Sequence, residues 1–313
     1  MKTKHVWFAL SALAIAGCSQ NEITEISPEA NPEVGFSVFT GTQTKGTITD
    51  NTESGTGIKA KGFGVLAYYT GATDFASYTS PTPNFMWNQK VEYKSSAWSY
   101  TPLKYWPNTT DEKISFFAYA PYADTQNTAS SSNGIELTAA TASGYPKITF
   151  HWNTTTSSAG VDLVATNAAQ TGGDKTVDLT KQTAAVPFKF KHVLSRANFW
   201  AKLDGSVNDS ETKVFIKGIK LLGTGASTPA VANSSSKFYT KATYKWEDGT
   251  WDYTAGTKQA AAVDLDGGIL NKTTQSFGSG NVYTTSSVAV TATAASMFKA
   301  TQYLFLIPPA ANG

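Results

Sequence analysis

The chain has 313 residues, a net charge of +2 and 15% charged residues, against about 25% in an ordinary soluble domain. No basic stripe runs along it, so a nucleic-acid-binding surface is not expected. Its length exceeds one simple sandwich, so two domains are expected.

Lys2 and Lys4 form a short basic head, followed by an apolar run from Val6 to Ile15, then Ala16, Gly17 and the chain's one cysteine, Cys18. This is the three-part plan of a secretory signal peptide, assigned to residues 1–17. The run is too short for a membrane helix, which needs about 20 apolar residues. Ile15-Ala16-Gly17-Cys18 also resembles the lipobox of bacterial lipoproteins, in which the thiol takes a diacylglyceryl group as a thioether. Cys18 is therefore the expected lipid attachment, leaving no thiol for a disulfide, a metal or covalent catalysis. Residues 18–33 are polar, contain two prolines, and are expected to be a tether.

Strand-like runs follow at 35–40, 62–69, 90–94, 113–119, 147–152, 186–193, 197–203, 213–222, 237–246, 250–254, 282–290 and 302–307, separated by clusters of Gly, Asn, Ser and Thr. In 243–254 aromatics alternate on both sides of Asp248-Gly249, a dipeptide suited to the positive φ values of a tight hairpin turn. No apolar helical period lasts three turns, and one short helix is expected near 294–300. The fold class is all-β, with sandwich topology. The polar stretch 166–185 places a boundary near 185, between an N-terminal domain at 34–185 and a C-terminal domain at 186–313.

Motifs for chemistry are sparse. After residue 17 only His151 and His192 remain, in different strands and without partners at metal-ligand spacing. His192 and Ser195 are three apart, so strand geometry points them to opposite faces, and His192 is expected to be a hydrogen-bonded core residue. DLDGG at 264–268 lacks the later ligands of a calcium loop and reads as a polar turn. GTGIKAKG at 55–62 does not join a strand to a helix, so it is no phosphate cradle. No catalytic residue, metal site or cofactor is expected. The aromatics of 97–108 and 244–253 suit either a sugar-stacking surface or cross-strand packing.

LKYWPNTTDEKISFFAYAPY at 103–122, VPFKFKHVLSR at 186–196 and QYLFLIPP at 302–309, in that order behind a lipobox, resemble the fimbrillin-like proteins of Bacteroides-type bacteria, pilin subunits of type V fimbriae. The resemblance implies two transthyretin-like β-sandwich domains in tandem and export as an outer-membrane lipoprotein. It also implies that a trypsin-like protease, usually arginine-specific, cuts after the first strand. The partners would be other fimbrial subunits, joined by strand donation, and a host or bacterial surface receptor or glycan. On this pattern the strand at Gly35–Thr40 is a displaced strand, with Phe36, Val38 and Thr40 on one face, Ser37 and Phe39 on the other, and Phe36, Val38 and Phe39 burying apolar surface. The loop after it, 40–62, contains Lys45, Lys59 and Lys61; because no arginine precedes Arg196, either a lysine serves, Lys45 being the best candidate, or this subunit is not processed. The chain stops at LIPPAANG, where relatives continue with further strands. Either the C-terminal domain is incomplete at its end, or the subunit lacks a strand to donate. The alternative reading is an outer-membrane, lipid-anchored glycan-binding protein.

Overall fold

The computed structural model describes residues 31–40, 53, 57–124, 134–140, 144–152, 161–207, 214, 216, 219–221, 238–258, 263–265, 290–299 and 302–310. Cys18 and Lys45, and most of the run expected at 282–290, lie outside them. Among the described residues the strands are β1 (Phe36–Phe39), β2 (Phe63–Gly71), β3 (Met86–Lys94), β4 (Ala97–Ser99), β5 (Lys113–Ala120), β6 (Ile135–Thr138), β7 (Lys147–His151), β8 (Val164–Ala165) and β9 (Val186–Lys189). They continue with β10 (Lys191–His192), β11 (Ser195–Ala197), β12 (Trp200–Ala201), β13 (Ile219–Leu221), β14 (Tyr239–Lys245), β15 (Trp251–Lys258), β16 (Val263–Leu265), β17 (Ala295–Ser296) and β18 (Leu304–Leu306). One α-helical turn, α1, spans Ile58–Lys61. The all-β class follows directly.

A six-stranded sheet in the order β10-β8-β5-β2-β3-β4 forms the central wall. Its inner strands read as nearly continuous apolar runs, FGVLAYYTG and KISFFAYA, because both of their faces are covered. Phe63, Val65 and Ala67 of β2, with Ile114, Phe116 and Ala118 of β5, belong to one apolar cluster. The alternate residues Leu66, Tyr68, Phe117 and Tyr119 belong to the other. Gly64 lets these layers close: a Cβ there would sit 2.4 Å from the Tyr119 ring and 2.6 Å from the Asn88 side-chain oxygen. Against the second face lies a four-stranded sheet, β15-β14-β7-β6, whose Ile135, Ile148, Phe150 and Tyr244 share that cluster.

Among the described residues, strand pairing crosses residue 185 in three places. β9 pairs with β1, β10 with β8, and β14 with β7. Residue 185 thus does not separate two sheet systems, and Val186, Phe188 and Phe190 finish the first cluster. Two smaller expectations also change. Residues 295–296 form strand β17, paired with β12, rather than part of a helix. The β14–β15 connection is the five residues Trp246–Thr250, closed by the Gly249 amide donating to the Lys245 carbonyl at 2.9 Å. Gly249 alone there takes a positive φ, +73°, and its Cβ position lies 2.1 Å from the Asn167 amide nitrogen.

Asp248 serves this loop through its carboxylate instead. It accepts from the Thr250 amide at 3.0 Å, the Thr250 hydroxyl at 2.7 Å and the Lys245 ammonium at 2.8 Å. Partial burial opposes its charge, but the Lys245 and Thr250 donors outweigh that and hold Asp248 down at about 2. A carboxylate whose folded pKa lies below its unfolded value near 4 stabilises above about pH 4 and loses that contribution as pH falls through about 2. With 44% of the side chain exposed, screening keeps the effect under about 1 kcal/mol. Asp248→Asn should therefore flatten the decline in urea midpoint between pH 4 and pH 2, and leave the slope above pH 5 unchanged.

Candidate functional site: the seat of the first strand

Residues 31–40 cross the first apolar cluster as one extended segment that changes partner midway. Its first half pairs antiparallel with 104–106. The Val34 amide donates to the Lys104 carbonyl at 2.9 Å, and the Trp106 amide to the Pro32 carbonyl at 3.0 Å. Its second half, β1, pairs parallel with β9, with Phe36 opposite Val186 and Val38 opposite Phe188. There the Val186 amide donates to the Gly35 carbonyl and the Phe190 amide to the Phe39 carbonyl, each at 2.8 Å.

Alternation sets the faces. Val34 is fully buried, Phe36 is 7% exposed, and Val38 packs half-buried on the same cluster. Phe36 stacks on Phe188 at 5.1 Å between ring centroids and meets Phe63, Tyr100 and Phe116 at 6.1, 5.3 and 6.0 Å. The Tyr100 hydroxyl donates to the Val34 carbonyl at 2.7 Å. Phe39 departs from expectation. It is 56% exposed, because it lies on the outer face of β1. Phe36 and Val38, with Val34, supply the apolar contact.

The outer edge of β9 is closed to further pairing. Pro187 has no N–H to offer there, and the Lys189 carbonyl accepts from the Gln170 amide at 2.9 Å. The head of the segment is polar. Asn31, 7% exposed, donates to the Asn108 side-chain oxygen at 2.6 Å, and the Lys181 ammonium donates to the Asn31 side-chain oxygen. Residues 31–33 are thus folded, not part of the tether. Nothing local in the sequence marks Asn31, Asn108, Tyr100 or Lys181 for this role.

The other singled-out residues lie elsewhere. Lys59 and Lys61 are in α1, with Lys59 3.5 Å from Glu53 and 4.3 Å from the Tyr93 ring centre. Lys45 is then the one lysine between β1 and α1. Arg196 sits in β11 opposite Phe305, with its guanidinium 4.7 Å from the Tyr303 ring centre. His192 is not a core residue: it lies exposed at a sheet edge, its Nδ1 2.9 Å from the buried Asp162 carboxylate. Ser195 lies in a different sheet, in β11. His151 Nε2 lies 2.7 Å from Glu136. Among the described residues no group of three His, Cys, Asp or Glu could hold a metal ion, and no helix is long and apolar enough to cross a membrane. The aromatics considered for sugar stacking serve packing. Tyr100, Trp106, Tyr244 and Trp246 are buried, the Trp251 indole donates to the Val193 carbonyl, and Tyr253 donates to the Pro308 carbonyl.

Two of the three motif stretches form the seat itself: 103–122 supplies the 104–106 edge and Phe116, and 186–196 supplies β9. The profile of the fimbrillin-like family matches residues 44–307. Fimbrium subunit Fim1C of Phocaeicola vulgatus is 35% identical over 315 residues, covering 98% of this chain and 77% of that protein. The crystal structure of a fimbrial protein from Bacteroides vulgatus superposes with a TM-score of 0.68 at 32% identity, over 89% of this chain and 78% of the other. On the family match and the whole-length identity, the chain belongs to the fimbrillin-like family.

Proposed function

We propose that this chain is a structural, non-enzymatic subunit of a cell-surface fimbria, exported as a lipoprotein through Cys18 and assembled with other subunits by strand exchange at the seat of residues 31–40. Cleavage after Lys45 frees the strand, which departs with its lipid, and a neighbouring subunit's strand takes its place. One observation carries the reading: a short segment plugs an aromatic-lined groove, Phe36 at its centre, and is held along both edges mainly by backbone pairing. An emptied groove would expose apolar surface worth roughly 1.5–3 kcal/mol per buried large side chain, together with unpaired backbone groups. An extended strand with apolar residues at alternate positions offers both complements.

The test is the N-terminal residue of subunits taken from purified fibres. Gly46 is expected, with Lys45→Ala subunits remaining outside the shaft and keeping lipid at Cys18. Incorporated subunits that all begin at a lipidated Cys18 and retain residues 31–40 would overturn the exchange.

A further inference from the structure

We propose that Asn108 and Lys181 form a polar lock at the head of the seat, which selects an incoming strand carrying a short carboxamide five residues before its central buried aromatic. The inference rests on the strand-exchange reading and adds to it which strands are accepted.

The resident strand shows what the seat requires. Its inward side chains are Val34, Phe36 and Val38, which any apolar strand of similar volume could replace. Asn31 is different. It is buried, and both ends of its amide are used, the nitrogen toward Asn108 and the oxygen toward Lys181. The two partners come from separate stretches, 77 and 150 residues away, so the site is built by the fold rather than by a local turn. An apolar side chain in place of Asn31 would leave the half-buried Lys181 ammonium without this acceptor, while the exposed Asn108 amide would turn to water. Such a loss at Lys181 weighs against wrong partners, in addition to the hydrogen bond that attracts the right one. A carboxylate could accept from Lys181 but has no proton for the Asn108 oxygen, and glutamine sets the amide one methylene too far. The apolar pockets thus supply affinity and the lock supplies register and choice, since a strand slipped by two residues keeps its faces but loses the amide.

The test uses the whole chain with a sequence-specific protease site in place of residues 43–48. After cutting, a fluorescent peptide of residues 31–40 is exchanged against the resident strand. That peptide should bind at least about tenfold tighter than its Asn31→Ala version, the loss expected for a charge-assisted bond plus a half-buried ammonium left without its acceptor. In a Lys181→Met chain, checked for folding by its thermal melt, the gap should shrink below about threefold. Equal binding of both peptides to the unaltered seat overturns the lock and leaves strand exchange intact. Equal binding of an Asn31→Asp peptide overturns the carboxamide preference. Entry of no peptide into the cut protein overturns strand exchange and the lock with it.

Discussion

Trp246→Ala is expected to cost about 3–5 kcal/mol of stability, the usual range for deleting a fully buried large aromatic. The side chain is 0% exposed, at the start of the β14–β15 loop, but it packs into the central sheet 6.0 Å from the Phe117 ring and 6.5 Å from Tyr119. Its indole donates to the Ala118 carbonyl at 3.3 Å, and its own carbonyl accepts from the Ala168 amide at 2.8 Å. Truncation leaves a cavity between the two sheets, while the Ala118 carbonyl keeps the Thr166 amide as its donor at 3.0 Å. The urea midpoint should fall accordingly, with Trp246→Phe recovering more than half the loss. A change under about 1 kcal/mol for the alanine variant would mean that the hairpin is not anchored as described.

Phe36→Ala should act more locally. The ring touches four aromatic rings, so its loss removes about 3–5 kcal/mol from the hold on residues 31–40 and raises their opening by at least about a hundredfold. Hydrogen exchange reads this directly, as faster exchange of the Trp106, Val186 and Phe190 amides, which donate to the segment. Phe39→Ala is the control within the same strand. At 56% exposure it should change exchange by less than about threefold. Comparable effects of the two substitutions would contradict the one-sided packing.

What the sequence made legible were properties with a short period. The faces of GFSVFT were readable because alternation is local, and Phe36 did turn inward. That its outer face stays in solvent was not readable, because exposure depends on which layers cover a strand. Phe39 therefore broke the expectation. The partner of β1 lies 150 residues along the chain, at β9, and nothing local in either strand names the other. Asn31 lies in a polar, proline-bearing stretch, which reads as linker until Asn108 and Lys181 arrive from elsewhere. For the same reason the stretch from Val186 reads as the opening of a new domain, although it completes the first core. Trp246 reads as one more alternating strand aromatic and is instead one of the buried side chains that join the two sheets.

The parallel register of β1 and β9 also has a mechanical meaning. In such a pair the chain enters both strands from the same end and leaves both from the other. Tension between residues before 31 and residues after 192 therefore drags the two strands past each other lengthwise. Every rung of the ladder bears load at once, and rupture needs them to fail together. A force across the strands would open the rungs singly, like a zip. A strand seated in this direction resists being torn out along its length while staying open to removal from one end.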